Sequence, residues 1–191
     1  MRPAGPVAPA AGGDGLESAY RTLIRGSAFL AASLQARATG GRGGGDVLPD
    51  ARGAKVVGNG LRELDRFLCL LLDEAVQRVA PPTFDHLAYA RRNNVARKAR
   101  DFHGVAGMAH ADEARLRAIG RVRACLHHCR GIVHNPALFG DVRIAAASCG
   151  GEDRRGRRLE LTFDDLARIC RFYAEFAAVL MAVCSADRRI P

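Results

Sequence analysis

Between residues 61 and 79 the apolar positions leave this chain little choice. Leu61, Leu64, Leu68, Leu71, Leu72, Ala75 and Val79 recur at three- and four-residue intervals, the spacing of one face of an α-helix. Glu63, Asp65, Arg66, Asp73, Glu74 and Arg78 read as the opposite, solvated side, and Pro81 and Pro82 end the helix because neither can donate a backbone hydrogen bond. A leucine face of this strength needs other helices to cover it, and the chain supplies them. Leu23, Phe29, Leu30 and Leu34 give a partial face to a helix over 16–38, and Thr83 or Asp85 would cap another over 84–103. A further helix is expected from Asp112 toward Pro136. A closing helix follows Thr162, a good N-cap, and places Leu166, Ile169, Cys170, Tyr173, Phe176, Ala177, Leu180 and Cys184 inward as far as Ser185. The expected fold class is all-α, a bundle of four to five helices. Val142–Ala147 and Arg158–Leu161, around the polar turn Gly150–Gly156, read as a small β-hairpin inserted before the last helix.

Residues 1–14 hold too few large apolar groups to pack and read as a disordered tail. Residues 15–186 form one helical domain, interrupted by a flexible Gly-rich loop over 39–60, and 187–191 are a short C-terminal tail. Met1–Gly15 carries no apolar signal-like segment, and the longest uninterrupted apolar run, Phe67–Leu72, is far shorter than a membrane span. The six cysteines are scattered and fall mostly on apolar faces, the usage of reduced thiols in a cytoplasmic protein. The net charge is +9, which attracts polyanions such as RNA or an acidic protein. Only Lys55 and Lys98 among the 29 basic residues are lysine, and an Arg-, Ala- and Gly-rich composition is also what a GC-rich coding bias produces.

Chemistry concentrates in one stretch, Arg121 to Asn135, which holds three of the six histidines. On a continuous helix Arg123, His127, Arg130 and His134 would share one edge, beside an apolar stripe of Ile119, Val122, Leu126, Cys129 and Val133. Histidine exchanges protons near neutrality and arginine grips phosphate in a planar fork. Together they suit metal-independent RNA cleavage, in which a base activates the 2′-hydroxyl and a cation stabilises the phosphorane. A solvated helix edge accounts for the same spacing.

Arg130-Gly131-Ile132-Val133-His134-Asn135 resembles the signature of the HEPN family, small all-α proteins of which many are RNases of toxin–antitoxin and defence systems. The layout is similar in outline over residues 15–185, including the Arg-Glu-Leu-Asp-Arg-Phe run at 62–67. Three residues separate Arg130 from His134 where the family has four to six; four separate Arg123 from His128 and five separate Arg121 from His127. The resemblance implies a catalytic set of Arg130, His134, His128 and Arg123, with His134 as acid or base and Arg130 on the scissile phosphate. It implies support from His127 and Asn135 in binding RNA, and a homodimer that joins two motifs. It also admits a non-catalytic module that binds RNA or protein, and an acidic, antitoxin-like partner.

The helix over 84–103 adds Arg91, Arg92, Asn93, Arg97 and Lys98 as candidate RNA contacts, the cations for phosphates and the amide for bases or 2′-hydroxyls. Cys125, Cys129, His128 and His134 include zinc-type ligands, but no second Cys/His pair accompanies them, so no metal is assigned. Gly40–Gly45 lacks the Lys-Ser/Thr ending of a phosphate loop, and no cofactor is assigned.

Overall fold

The computed structural model describes residues 14–40, 51–148, 158, 159 and 161–186. Among them the chain is helical: α1 (Asp14–Gly40), α2 (Ala51–Val79), α3 (His86–Ala90), α4 (Val95–Val105), α5 (Glu113–His128), α6 (Ala137–Ala146) and α7 (Phe163–Ala186). The leucine face of α2 is the centre. Leu61, Leu64, Leu68, Leu71 and Leu72 are buried, and α2 touches α1, α3, α4, α5 and α7. The helix also starts ten residues earlier than its leucines suggest. Gly53, Gly58 and Gly60 each weaken an isolated helix by about 1 kcal/mol, but Gly58 and Gly60 are packing devices here. At Gly58 an ideal Cβ would lie 2.6 Å from the backbone nitrogen of His127, so α2 and α5 cross there backbone to backbone. Residues 51–60 are therefore helix rather than loop, and 41–50 lie outside the described residues, as do the tails 1–13 and 187–191.

Three further elements differ from the sequence reading, each for a local reason. The helix expected over 84–103 is two. Asp85 caps α3 by accepting from the Ala88 N–H at 2.9 Å, and Asn94 caps α4 by accepting from the Arg97 N–H at 3.0 Å. An asparagine whose amide takes a backbone donor three residues on starts a new helix. The helix expected to reach Pro136 stops at His128. Arg130 (φ 51°) and Gly131 (φ 79°) both adopt left-handed backbone, and the Cys125 carbonyl accepts from the N–H groups of Cys129 and Gly131 at 2.9 and 3.1 Å. The Cys125 thiol donates to the Ile132 carbonyl at 3.3 Å and fixes the turn. The hairpin does not form as expected, because Val142–Ala146 belong to α6. That helix closes on Ala147 (φ 49°), with Ala147 and Ser148 N–H groups returning to the Ile144 and Arg143 carbonyls, the pairing of a Schellman cap. Arg158 makes an isolated antiparallel bridge to Ile132, and 149–157 lie outside the described residues.

The closing helix is as expected. Thr162 accepts from the Asp165 N–H while the Asp165 carboxylate accepts from the Thr162 N–H, both at 3.0 Å, a reciprocal capping box. α7 buries ten residues against the rest of the chain. It is also long and apolar enough, by length and composition, to cross a membrane, which corrects the reading based on uninterrupted runs; a core helix meets the same requirement. No described cysteine is in a disulfide, and burial pushes the Cys125 and Cys170 thiols up to about 11 and about 12, so they stay protonated and unreactive.

Candidate nucleic-acid interface

Asp65 is the residue from which the candidate site is built. It follows Leu61 by four residues and so points inward with the leucines, not outward with Glu63 and Arg66; it is 7% exposed. Its carboxylate accepts from the Tyr173 hydroxyl of α7 at 2.5 Å and from Arg123 Nη1 of α5 at 2.8 Å. Burial raises the Asp65 pKa above its ordinary 3.8, opposed by the Tyr173 bond and the Arg123 charge. Burial and the adjacent carboxylate push the Tyr173 phenol well above 10, so it remains a hydrogen-bond donor. This three-helix contact is structural, and it anchors Arg123 at the surface with its side chain 32% exposed.

Two hollows of about 580 and 450 Å³ meet over this pair, sharing Asp65, Asn93, Val95 and Arg123. Arg97, Arg117 and Arg121 line the first, and Arg62, Arg66 and Arg92 the second. The break between α3 and α4 forms the saddle: α3 closes on Arg91, and Asn94 caps the start of α4. Most of the guanidiniums are steadied from behind. Arg121 clasps Asp141 of α6 through two hydrogen bonds of 2.6 and 2.5 Å, Arg66 lies 3.3 Å from Glu63, Arg117 pairs with Glu113, and Arg92 pairs with Asp101. Arg62 and Arg97 form no ion pair with the described residues. The exposed Arg66–Glu63 pair contributes only about 0–1 kcal/mol, so a phosphate can take over from that carboxylate at little expense, whereas the bidentate Arg121 clasp on buried Asp141 holds its guanidinium in place.

The residues singled out from sequence divide between this groove and elsewhere. Arg92, Asn93, Arg97 and Arg123 come together in it, and Arg91 is exposed on the same turn. Lys98 also lines the second hollow, with Asp73, but does not offer its charge outward. It is 1% exposed, and its ammonium lies 2.6 and 2.8 Å from the two Asp73 oxygens and 5.2 Å from the Tyr89 ring centre. Arg130 and His134 are exposed, but on the turn after α5 and not on a helical stripe. His128 is exposed, with its ring 4.5 Å from that of His127. His127 Nδ1 is buried without a partner. Desolvation, then the charges of His128, Arg62, Lys55 and Arg123, lower its pKa. Asn135 spends its carbonyl oxygen on the Ala137 N–H at the start of α6, at 3.0 Å. Among the described residues no group of three His, Cys, Asp or Glu side chains is placed to hold a metal ion.

Sequence reading missed Asp65, Arg62, Arg66, Arg117 and Arg121 as members of the groove. Asp65 left a usable signal, an acid at the fourth position after a core leucine. The arginines left none, since only the crossing of α2, α4 and α5 gathers them. Compared with known proteins, the chain matches no family model, no curated protein and no solved structure.

The buried histidine His103 predicts acid sensitivity. His103 at the end of α4 is 2% exposed, stacks on His110 with ring centres 5.9 Å apart, and has an Nδ1 with no partner. Burial is the largest of the influences lowering its pKa below 6.5. The unfolded chain therefore binds this proton more readily, so the contribution is present above pH 6.5 and is lost as pH falls below it. Thermal melts should show a lower Tm at pH 5.5 than at pH 7.5, and His103→Phe should flatten that slope; equal slopes for the two proteins contradict the assignment.

Proposed function

We propose that this chain is a HEPN-like helical domain that binds RNA through the arginine-lined groove around Asp65 and Arg123. The observation that carries this reading is the convergence of seven arginines on two joined hollows, with Arg62 and Arg97 lacking acid partners among the described residues. Guanidiniums held by carboxylates behind them are pre-oriented, which favours planar contact with phosphate oxygens. The +9 net charge brings a polyanion to the surface, and the groove gives it a place to lodge. Replacing Arg62 and Arg97 with glutamate should weaken RNA binding by at least roughly tenfold at moderate salt. It should leave the fold intact, because both side chains are exposed. Unchanged affinity in the double variant removes the groove from the account.

A second reading is favoured by the joint exposure of Arg130, His134 and His128 around one rigid turn. In it the domain is a metal-independent endoribonuclease of toxin–antitoxin type. His134 takes the proton of a 2′-hydroxyl, the 2′-oxygen bonds to phosphorus while Arg130 neutralises the equatorial oxygens, and the bond to the 5′-oxygen breaks as that oxygen takes a proton from a water molecule, whose hydroxide is neutralised by the proton held on His134. The resemblance supports a homodimer joining two such turns, and an acidic partner that would co-purify at low salt and separate at high salt. Metal-free RNA cleavage giving 2′,3′-cyclic phosphate ends, lost in His134→Ala, is the expected result; equal activity or equal inactivity of the two proteins rejects this reading.

A further inference from the structure

The groove has a second property, its lack of aromatic side chains. Among the described residues no Phe, Tyr or His lines either hollow. Single-stranded RNA is held mainly by stacking unpaired bases on aromatic rings, which contributes about 1–3 kcal/mol per base. This surface has no platform for that. What it offers instead are guanidiniums spread along two joined hollows and one uncommitted amide. Asn93 lines both hollows and is exposed. Its neighbour Asn94 is occupied in capping α4. The guanidiniums match a row of phosphates, and a primary amide both donates to and accepts from a ribose hydroxyl.

We infer that the groove recognises the sugar–phosphate backbone of duplex RNA, with Asn93 at its saddle contacting a 2′-hydroxyl. The inference rests on the RNA-binding reading and narrows its substrate class. A-form RNA suits such a surface, because its wide, shallow minor groove presents phosphates and 2′-hydroxyls while its bases stay paired. Sequence would then matter little, and the distinction between RNA and DNA would fall largely to one side chain.

The test is fluorescence anisotropy with four probes of one sequence at a single ionic strength: duplex RNA, each of its two strands alone, and the matching duplex DNA. The wild type should bind duplex RNA roughly tenfold more tightly than either strand. Asn93→Ala should reduce the preference for duplex RNA over duplex DNA by roughly 3–10-fold, the worth of one hydrogen bond, with no change in Tm. Single strands binding as tightly as the duplex, while Arg62→Glu/Arg97→Glu still abolishes binding, overturns the duplex assignment and leaves the RNA groove standing. Equal RNA preference in Asn93→Ala overturns the role of the amide. Binding of all probes that is indifferent to Arg62→Glu/Arg97→Glu overturns the groove itself.

Discussion

Gly58→Ala is expected to destabilise the protein by about 3 kcal/mol, the upper end of what overpacking usually costs. The added Cβ would sit 2.6 Å from the His127 nitrogen, 2.9 Å from its Cα and 3.0 Å from the Leu126 carbonyl carbon. All three neighbours are backbone atoms, so no side chain can swing away and the two helices must part. Alanine's helix propensity returns about 1 kcal/mol, too little to offset the strain. The displacement also reaches the groove, because Arg62 and Asp65 lie one and two turns further along α2 and Arg123 lies one turn before His127 on α5. RNA affinity should therefore fall together with stability. Gly120→Ala is the control. Gly120 lies within α5 with nothing within 4 Å of its would-be Cβ, so that variant should gain about 0.5–1 kcal/mol. Equilibrium denaturation of the two variants and the parent measures both, and two changes of the same sign would contradict the packing argument.

Asp73→Ala should cost about 3–5 kcal/mol, the penalty for leaving a buried charge unpaired. The Lys98 side chain is 2% exposed and its ammonium has both Asp73 oxygens within 2.8 Å. The reverse change is milder. Lys98→Met keeps most of the buried volume and leaves behind a carboxylate that is 27% exposed although its Oδ1 is buried, so a loss of about 1–3 kcal/mol, below that of Asp73→Ala, is expected. In the double variant the penalty of Asp73→Ala should largely disappear, and that non-additivity is the signature of the pair. Lys98→Met should also bind RNA within about twofold of the parent, since a sequestered ammonium has no phosphate to release counterions from. A large affinity loss there would return Lys98 to the interface.

The contrast between Lys98 and Arg97 shows where sequence reading stops. Adjacent in a run of cations, they are indistinguishable by charge, yet Lys98, in the wall of the second hollow, is 1% exposed with its ammonium turned onto Asp73, while Arg97 lines the first hollow and is exposed. Features governed by neighbours a few residues apart were legible. The Leu61–Val79 face, the stop at Pro81-Pro82 and the Thr162–Asp165 cap all depend on such short-range rules. Features governed by distant contacts were not. Gly58 and Gly60 look like loop until α5 and Leu30 are set against them. Val142–Ala147 is a short apolar run, which periodicity alone cannot assign between strand and helix. The end of α5 was hidden for a different reason. Arg130 takes a left-handed conformation that favours glycine or asparagine, and it is held there by the Cys125 carbonyl accepting from Gly131 and by the Cys125 thiol on Ile132. Hence the stripe of Arg123, His127, Arg130 and His134 dissolves, and Arg123 alone joins the groove.

Hydrogen exchange of the backbone amides, with and without a saturating RNA duplex, locates the binding surface most directly. Slower exchange at residues 91–98 and 116–124, with 129–135 unchanged, is what the groove predicts. Protection confined to 129–135 would place RNA on the turn that carries Arg130 and His134 and would contradict the groove as the binding site.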